Sequence, residues 1–292
     1  MSKERVLITG GTGFVGRNLI AALSAERHCI NIGRNASSAC DNVYWNLADD
    51  FPRDQFPDGC ISTLVHCASI VGPDERVPTN QYFDINIKAT AWLLDFAVRN
   101  HVRHFVYISS GAVYGEGETV FTENDTCNPL NRYGLSKYIS EILCSCCSDR
   151  MNVTVLRPFF PYGAGQMGRL IPALTGRILS GSPVMLNKNG RPVINPVHIS
   201  DFVRIAVQTI TQEIAGTYNI CGDEALSILE ICHLISRRLG DAKPNYAFLD
   251  NSVLDLTGSN RKICDLLNYK MRVSFDEGIT EFVSAYQGKG LS

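Results

Sequence analysis

The chain has 292 residues, 45% of them apolar and 19% charged, with 24 Gly and 12 Pro. That composition excludes a disordered, collagen-like or low-complexity protein, and the length suits a large α/β unit with or without a smaller companion. Lys and Arg total 27 against 29 Asp and Glu, a formal charge of −2 with no basic run, which argues against a nucleic acid as the main partner.

No apolar stretch approaches the roughly 18 residues that span a bilayer. Met1-Ser-Lys-Glu-Arg5 enters a strand-like run at once and leaves no room for a signal peptide. A cytoplasmic protein without membrane attachment is expected. The 11 cysteines are odd in number and fit no disulfide framework. Cys144, Cys146 and Cys147 lack a second Cys/His pair at zinc spacing, and Cys144 and Cys147 share a helical face. They read as small buried apolar side chains in a reducing compartment, with no metal.

Taken in order, Arg5–Thr9 reads as a strand, Phe14–Glu26 as a helix, and His28–Ile32, Val43–Trp45 and Ile61–His66 as further strands. Asn80–Asn100 is a long amphipathic helix with Ile85, Ala89, Leu93 and Phe96 at helical spacing. His104–Ser109 is a buried-type strand, Leu130–Cys147 a helix, and Val153–Arg157 a strand closed by Pro158. Strands alternating with helices predict a Rossmann-type, doubly wound parallel sheet over residues 1–158, with ligands along the strand C-termini. Beyond Pro158 the alternation loosens. Gly163–Gly168 reads as a loop, Gly190–Pro196 as a turn plus a short strand, and Ser200–Thr211 and Ser227–Leu239 as helices. Residues 159–292 are expected to form mainly a smaller, mixed α/β substrate lobe, with segments near 193–212 returning to the first domain.

Thr9-Gly-Gly-Thr-Gly-Phe-Val-Gly16 follows the first strand and opens the first helix. Gly10 permits the tight turn, Gly13 admits a pyrophosphate to the backbone, and Gly16 allows close helix–strand packing. The helix N-terminus, with Thr12, Phe14 and Val15, offers N–H groups and partial positive charge. The second strand ends in Gly33-Arg34-Asn35, without the acid that holds the adenosine ribose in NAD-binding folds. Arg34 there could pair with a 2′-phosphate, so NADP is expected over NAD.

Tyr133 and Lys137 stand one helical turn apart on one face. A phenol is a poor base at neutral pH, and a neighbouring ammonium favours its phenolate, so Tyr133 could exchange a proton with an alcohol or ketone. Upstream, Ser109-Ser110 ends a sheet strand at the ligand edge. The order of glycine loop, Ser, Tyr and Lys carries the reading.

These residues resemble the extended short-chain dehydrogenase/reductases, in particular the nucleotide-sugar epimerase/dehydratase group. Further matches are Ser109-Ser-Gly-Ala-Val-Tyr-Gly115, Leu156–Gly163, Val197-His-Ile-Ser-Asp201, Tyr218-Asn-Ile-Cys-Gly222 and Val273–Gly278. The resemblance implies that Tyr133 is the acid/base, that Lys137 also binds the nicotinamide ribose, and that Ser110 orients the substrate hydroxyl. Asn86 matches an Asn beneath the site. Ala68, Ser109 and Phe160 fall in cofactor-facing segments, and Asn46 and Leu47 stand where the family meets adenine. Asn46 replaces a common Asp. The Asp-Glu pair with which dehydratases eliminate water is here Gly111-Ala112, so dehydration by that route is not expected. Phe160 replaces an Asn that often faces the substrate diphosphate, and Arg169, Arg191 and Arg261 are candidate replacements for that grip.

The expected activity is NAD(P)(H)-dependent oxidoreduction of a nucleotide-sugar, foremost as a 4-ketoreductase. A 4-epimerase with retained cofactor, a steroid- or flavonoid-like ketone as substrate, and a non-catalytic NAD(P) sensor stay open. The resemblance also implies a homodimer built from the 80–100 and 130–147 helices.

Overall fold

Val6, Leu7 and Ile8 are fully buried in the strand Arg5–Thr9 (β1), as a strand covered on both faces requires. The computed structural model describes residues 3–52, 56, 61–251 and 253–288. Two compact units divide the chain: residues 1–115, 126–157 and 203–218 form the first, and residues 116–125, 158–202 and 219–292 the second.

In the first unit β1 leads through the glycine turn into Phe14–Leu23 (α1) and then His28–Gly33 (β2), Asp41–Tyr44 (β3) and Ile61–His66 (β4). A long helical run follows as Thr79–Tyr82 (α2), a π-helical turn at Phe83–Lys88, and Ala89–Arg99 (α3). His104–Ile108 (β5), Arg132–Ser145 (α4) and Asn152–Pro158 (β6) complete the alternation. Several elements differ from expectation at their edges: β3 begins two residues earlier, β5 stops before Ser109, α1 ends at the Ser24 cap, and α4 is two residues shorter at each end.

The β-sheet has seven strands. Within it β1 pairs in parallel with β2 and β4, β2 with β3, β4 with β5, and β5 with β6. From β1 the chain winds outward through β2 to β3, then crosses back to β4, β5 and β6. The direction reverses between β1 and β4, and the carboxyl ends of those two strands are where such sheets hold ligands. Leu7, Ile30, Ile32, Leu64, Leu93, Ala97 and Phe105 meet in one core beneath that edge. Cys144 is fully buried in it and Cys147 packs against it, as expected of apolar side chains, whereas Cys146, expected to be buried with them, is exposed.

In the second unit Leu170–Ser180 (α5) ends on Gly181 at φ 67°, a left-handed cap open to glycine. Val184–Leu186 (β7), Val193–Ile194 (β8) and Leu226–Ser227 (β10) come next; the helix Ile199–Thr211 (α6) and Gly216–Ile220 (β9), which lie between β8 and β10 in the chain, belong mostly to the first unit. Ile228–Arg238 (α7) starts on a Ser227–Glu230 capping box and precedes Tyr246–Phe248 (β11), Arg261–Leu267 (α8) and Phe275–Gly288 (α9). β7 pairs in parallel with β11 and β8 antiparallel with β10, while β9 completes the large sheet beside β6. Ile171, Ile231, Ile235, Ile279 and Phe282 form this unit's own core. Among the described residues no helix is long and apolar enough to cross a membrane.

Candidate active site

The glycine turn closes tightly at the end of β1. Gly10, at φ 68°, donates its N–H to the Ile32 carbonyl (2.9 Å) and accepts from Gly13 N (2.9 Å). A Cβ on Gly16 would stand 2.3 Å from the Gly10 carbonyl oxygen, and one on Gly10 2.9 Å from the Ala68 Cα. Both positions are thus glycine because backbone meets backbone. Thr12 and Gly13 are exposed at the rim, with Phe14 and Val15 half-buried behind them. α1 has neither a side-chain cap nor an acidic residue in its first turn, which leaves its first N–H groups to an anion. The turn therefore fits the pyrophosphate of a dinucleotide.

A buried residue outside the expected motifs holds this turn. Asn31, on β2, accepts from Gly11 N at 2.8 Å and donates to the Asn35 carbonyl (3.0 Å) and to Asn42 Oδ1 (2.9 Å). Asn42 in turn ties Ser37 and Cys40. The loop bearing Arg34 is thereby fixed to the glycine turn through one amide. Arg34 itself is exposed, and among the described residues its guanidinium has no ion pair. Asn46 is half-buried and bonds Asp49 (3.2 Å), next to the buried Leu47.

A directional hydrogen-bond chain connects the turn to the long helical run. Ala68 N–H donates to Thr9 Oγ1 (3.1 Å), Thr9 pairs with His66 Nδ1 (2.6 Å), and His66 Nε2 pairs with Thr90 Oγ1 (3.0 Å). Thr90 donates onward to the Asn86 carbonyl (2.5 Å). With an N–H at one end and a carbonyl at the other, the order requires a neutral His66 protonated on Nε2. Burial, with the nearby Lys137 adding to it, pulls the His66 pKa down to about 3, so the ring stays neutral.

Asn86 lies in the π turn, where the helix widens by one residue. Its carbonyl also accepts from Ser140 Oγ (3.1 Å), and its side chain holds Ile70 through N–H and C=O (2.8 and 3.1 Å) and donates to Ser136 (2.8 Å). It joins the segment after β4 to α4.

α4 starts on Asn131, whose side chain accepts from Gly134 N at 2.9 Å, and its buried face carries Tyr133, Lys137 and Glu141 at successive turns. Gly134 went unassigned in the sequence although it sets how closely this helix approaches Ser110. A Cβ there would lie 2.5 Å from the Ala112 carbonyl oxygen. Ser110 caps the short 3₁₀ turn Gly111–Val113, accepting from Ala112 N at 3.1 Å, and that turn carries no carboxylate. Lys137 donates to the Ile108 carbonyl (2.8 Å) and its Nζ sits 4.8 Å from the centre of the Tyr107 ring. Burial pulls its pKa to about 8 against the opposing influence of Cys67, Glu141 and Cys144. The group remains a cation at neutral pH, fixed on the face that bears Tyr133. Ser109 donates to Glu141, which Arg157 grips through Nε (3.0 Å) and Nη2 (2.6 Å).

The remaining candidates belong to the second unit. Phe160 is half-buried at φ 42°, a strained setting for a large side chain. Arg191 is engaged by Asp255 at 2.7 Å. Arg169, at the start of α5, and Arg261, opening α8, are exposed.

A sequence profile described as the NAD dependent epimerase/dehydratase family matches residues 6–221. The dTDP-glucose 4,6-dehydratase of Actinoplanes sp. is 26% identical over 97% of this chain and 98% of its own length. A dTDP-4-dehydro-6-deoxy-D-allose reductase of Streptomyces sp. is 27% identical over 93% of this chain and 91% of its own. Among solved structures, MoeE5 in complex with UDP-glucose and NAD matches with a TM-score of 0.88 and 27% identity, covering 98% of this chain and 99% of that one.

Proposed function

The chain belongs to the NAD dependent epimerase/dehydratase family and is an enzyme, and from that premise we propose that it is a nucleotide-sugar 4-ketoreductase preferring NADP(H). The observation that carries the chemistry is the buried Lys137 ammonium, fixed by the Ile108 carbonyl on the helix face that bears Tyr133. The ammonium stabilises phenolate over phenol, so Tyr133 gives up its proton more readily than a free tyrosine and can pass it to a forming alkoxide. Ser110, at the end of β5, hydrogen-bonds the reacting oxygen and orients it. The nicotinamide, when bound, supplies or accepts the hydride. Gly10, Thr12, Gly13, Phe14, Val15 and Gly16 would hold its pyrophosphate, with Ala68, Asn86, Ser109 and Phe160 around the rest.

Elimination of water needs an acid and a base beside the reacting carbon. The Gly111–Val113 turn supplies neither, which supports reduction over dehydration. The NADP preference is supported by the exposed Arg34 after Gly33, which has no ion pair among the described residues. We assign the nucleotide-sugar grip to the second unit, with Arg169, Arg191 and Arg261 as its candidate cations, Arg191 being held by Asp255. Exposed Phe83, Leu135 and Ile142 support a homodimer through the two helical runs.

A second reading, 4-epimerisation with retained cofactor, is favoured by the resemblance to MoeE5, which binds UDP-glucose and NAD. Absorbance at 340 nm separates the two. A reductase consumes NADPH one-for-one with a 4-keto sugar nucleotide, faster than NADH, whereas an epimerase interconverts UDP-glucose and its 4-epimer with no net change. Either activity should fall at least about a hundredfold in Tyr133→Phe. Native turnover in that variant would overturn the proton-transfer assignment.

A further inference from the structure

Below Lys137 on the buried face of α4, one turn further on, lies a carboxylate that the proposed reaction does not use. Glu141 is 7% exposed and Arg157, which grips it, 6%. Arg157 Nε lies 3.0 and 3.2 Å from the two carboxylate oxygens and Nη2 2.6 Å from Oε2, while Nη1 donates to Tyr114 Oη at 2.6 Å. The remaining capacity of the carboxylate is taken by the hydroxyl of Ser109. A buried ion pair of this kind is weak evidence of stability, because desolvation offsets most of the attraction. What distinguishes this one is where it is anchored. Arg157 lies on β6, and the pair's two further partners, Ser109 on the carboxylate and Tyr114 on the guanidinium, both come from the segment after β5.

We propose that Glu141 is a positioning residue: its carboxylate holds Ser109, and through it the Ser110 end of β5, against α4, and serves as counter-charge to the Lys137 ammonium. The inference rests on the reading of Tyr133 and Lys137 as the proton-transfer pair. Lys137 donates to a neutral acceptor, the Ile108 carbonyl, and among the described residues it has no salt bridge. The groups that face it are Glu141 and Cys144 on its own helix, Cys67 after β4, and the Tyr107 ring of β5, with neutral His66 behind. Burial pushes the Cys67 thiol up to about 12 and raises that of Cys144, so both are uncharged and Glu141 is the anion among them. Around Glu141 itself stand Arg157, Tyr114, Cys127, Cys144 and Tyr107.

A purely structural ion pair and a counter-charge differ in one readout, the titration of Lys137. Protein labelled with ¹³C-lysine gives a Lys137 signal assignable by its loss in Lys137→Arg, and it should titrate near pH 8 in the native chain. In Glu141→Gln, which keeps the shape and an acceptor for Ser109, that midpoint should fall by about one pH unit, a tenfold change in proton affinity. An unchanged midpoint in the folded variant overturns the proposal. Should the single variant fail to fold on its orphaned cation, Glu141→Gln/Arg157→Met removes both charges. A smaller downward shift supports the proposal there, because the repulsion from Arg157 is lost together with the attraction to Glu141, and a native midpoint overturns it. The measurement needs neither substrate nor dinucleotide, so a failure of the functional reading, seen as native turnover in Tyr133→Phe, is told apart from a failure of this one.

Discussion

Thr9 shows how much a single hydroxyl can organise. Its Oγ1 takes the Ala68 N–H and pairs with His66, so one side chain satisfies two buried polar groups at the carboxyl ends of β1 and β4. Thr9→Val keeps the volume and leaves both groups without a partner. Urea denaturation should show a loss of about 2–6 kcal/mol, from roughly 1–3 kcal/mol for each of the two buried groups left unsatisfied. An unchanged midpoint with unchanged slope would mean that the chain through His66 contributes nothing. At this scale the sequence was legible where chemistry depends on local spacing. Gly10 and Gly16 meet within one turn, and Tyr133 and Lys137 within one turn of helix. It was silent on the pairings of Asn31 with Asn42, His66 with Thr90 and Arg191 with Asp255, because those partners stand 11 to 64 residues away and nothing in the chain order names them. Glu141 did leave a signal, an acid four residues past Lys137 on an otherwise buried stripe.

Among elements, α4 matters most, since its first turn carries Tyr133 against the turn that follows β5. Gly134 makes that approach possible: an added Cβ would sit 2.5 Å from the Ala112 carbonyl oxygen and 3.1 Å from Pro129 Cβ. Backbone cannot yield there as a flexible side chain could. Gly134→Ala should push the helix away from Ser110 and reduce kcat by about a hundredfold, the cost of roughly 1 Å of misplacement. Dinucleotide affinity should stay within about twofold, because the glycine turn is untouched; the discriminating measurement is turnover against cofactor titration, and a loss of both together would point to general unfolding. The long run at 79–99 illustrates the limit of periodicity. Its apolar spacing reads as one helix, and the π turn at Phe83–Lys88 does not disturb that spacing enough to be seen. The turn depends instead on Thr90 and Ser140, whose hydroxyls bond the Asn86 carbonyl.

For the molecule as a whole, the parallel order of the large sheet followed from strands alternating with helices, each strand a buried aliphatic run. The second unit was harder to read. β7 and β11 are three residues each, β8 and β10 two, and pairs so short carry no alternation of their own. A property of the first unit follows from its buried rings. Burial pulls His66 to about 3 and His104 to about 4, so both are neutral when folded and would take up a proton near pH 6.5 when unfolded. Between those values the unfolded chain binds more protons, so stability is full above about pH 6.5 and drains as pH falls. Each ring should account for on the order of 2–3 kcal/mol by pH 4.5. Chemical denaturation at pH 7.5 and 4.5 measures the sum. His104→Gln, which keeps a polar group opposite Thr154, should cut the acid-linked loss by about half. A variant as acid-sensitive as the native chain would place the linkage on other groups and remove the buried imidazoles from the account.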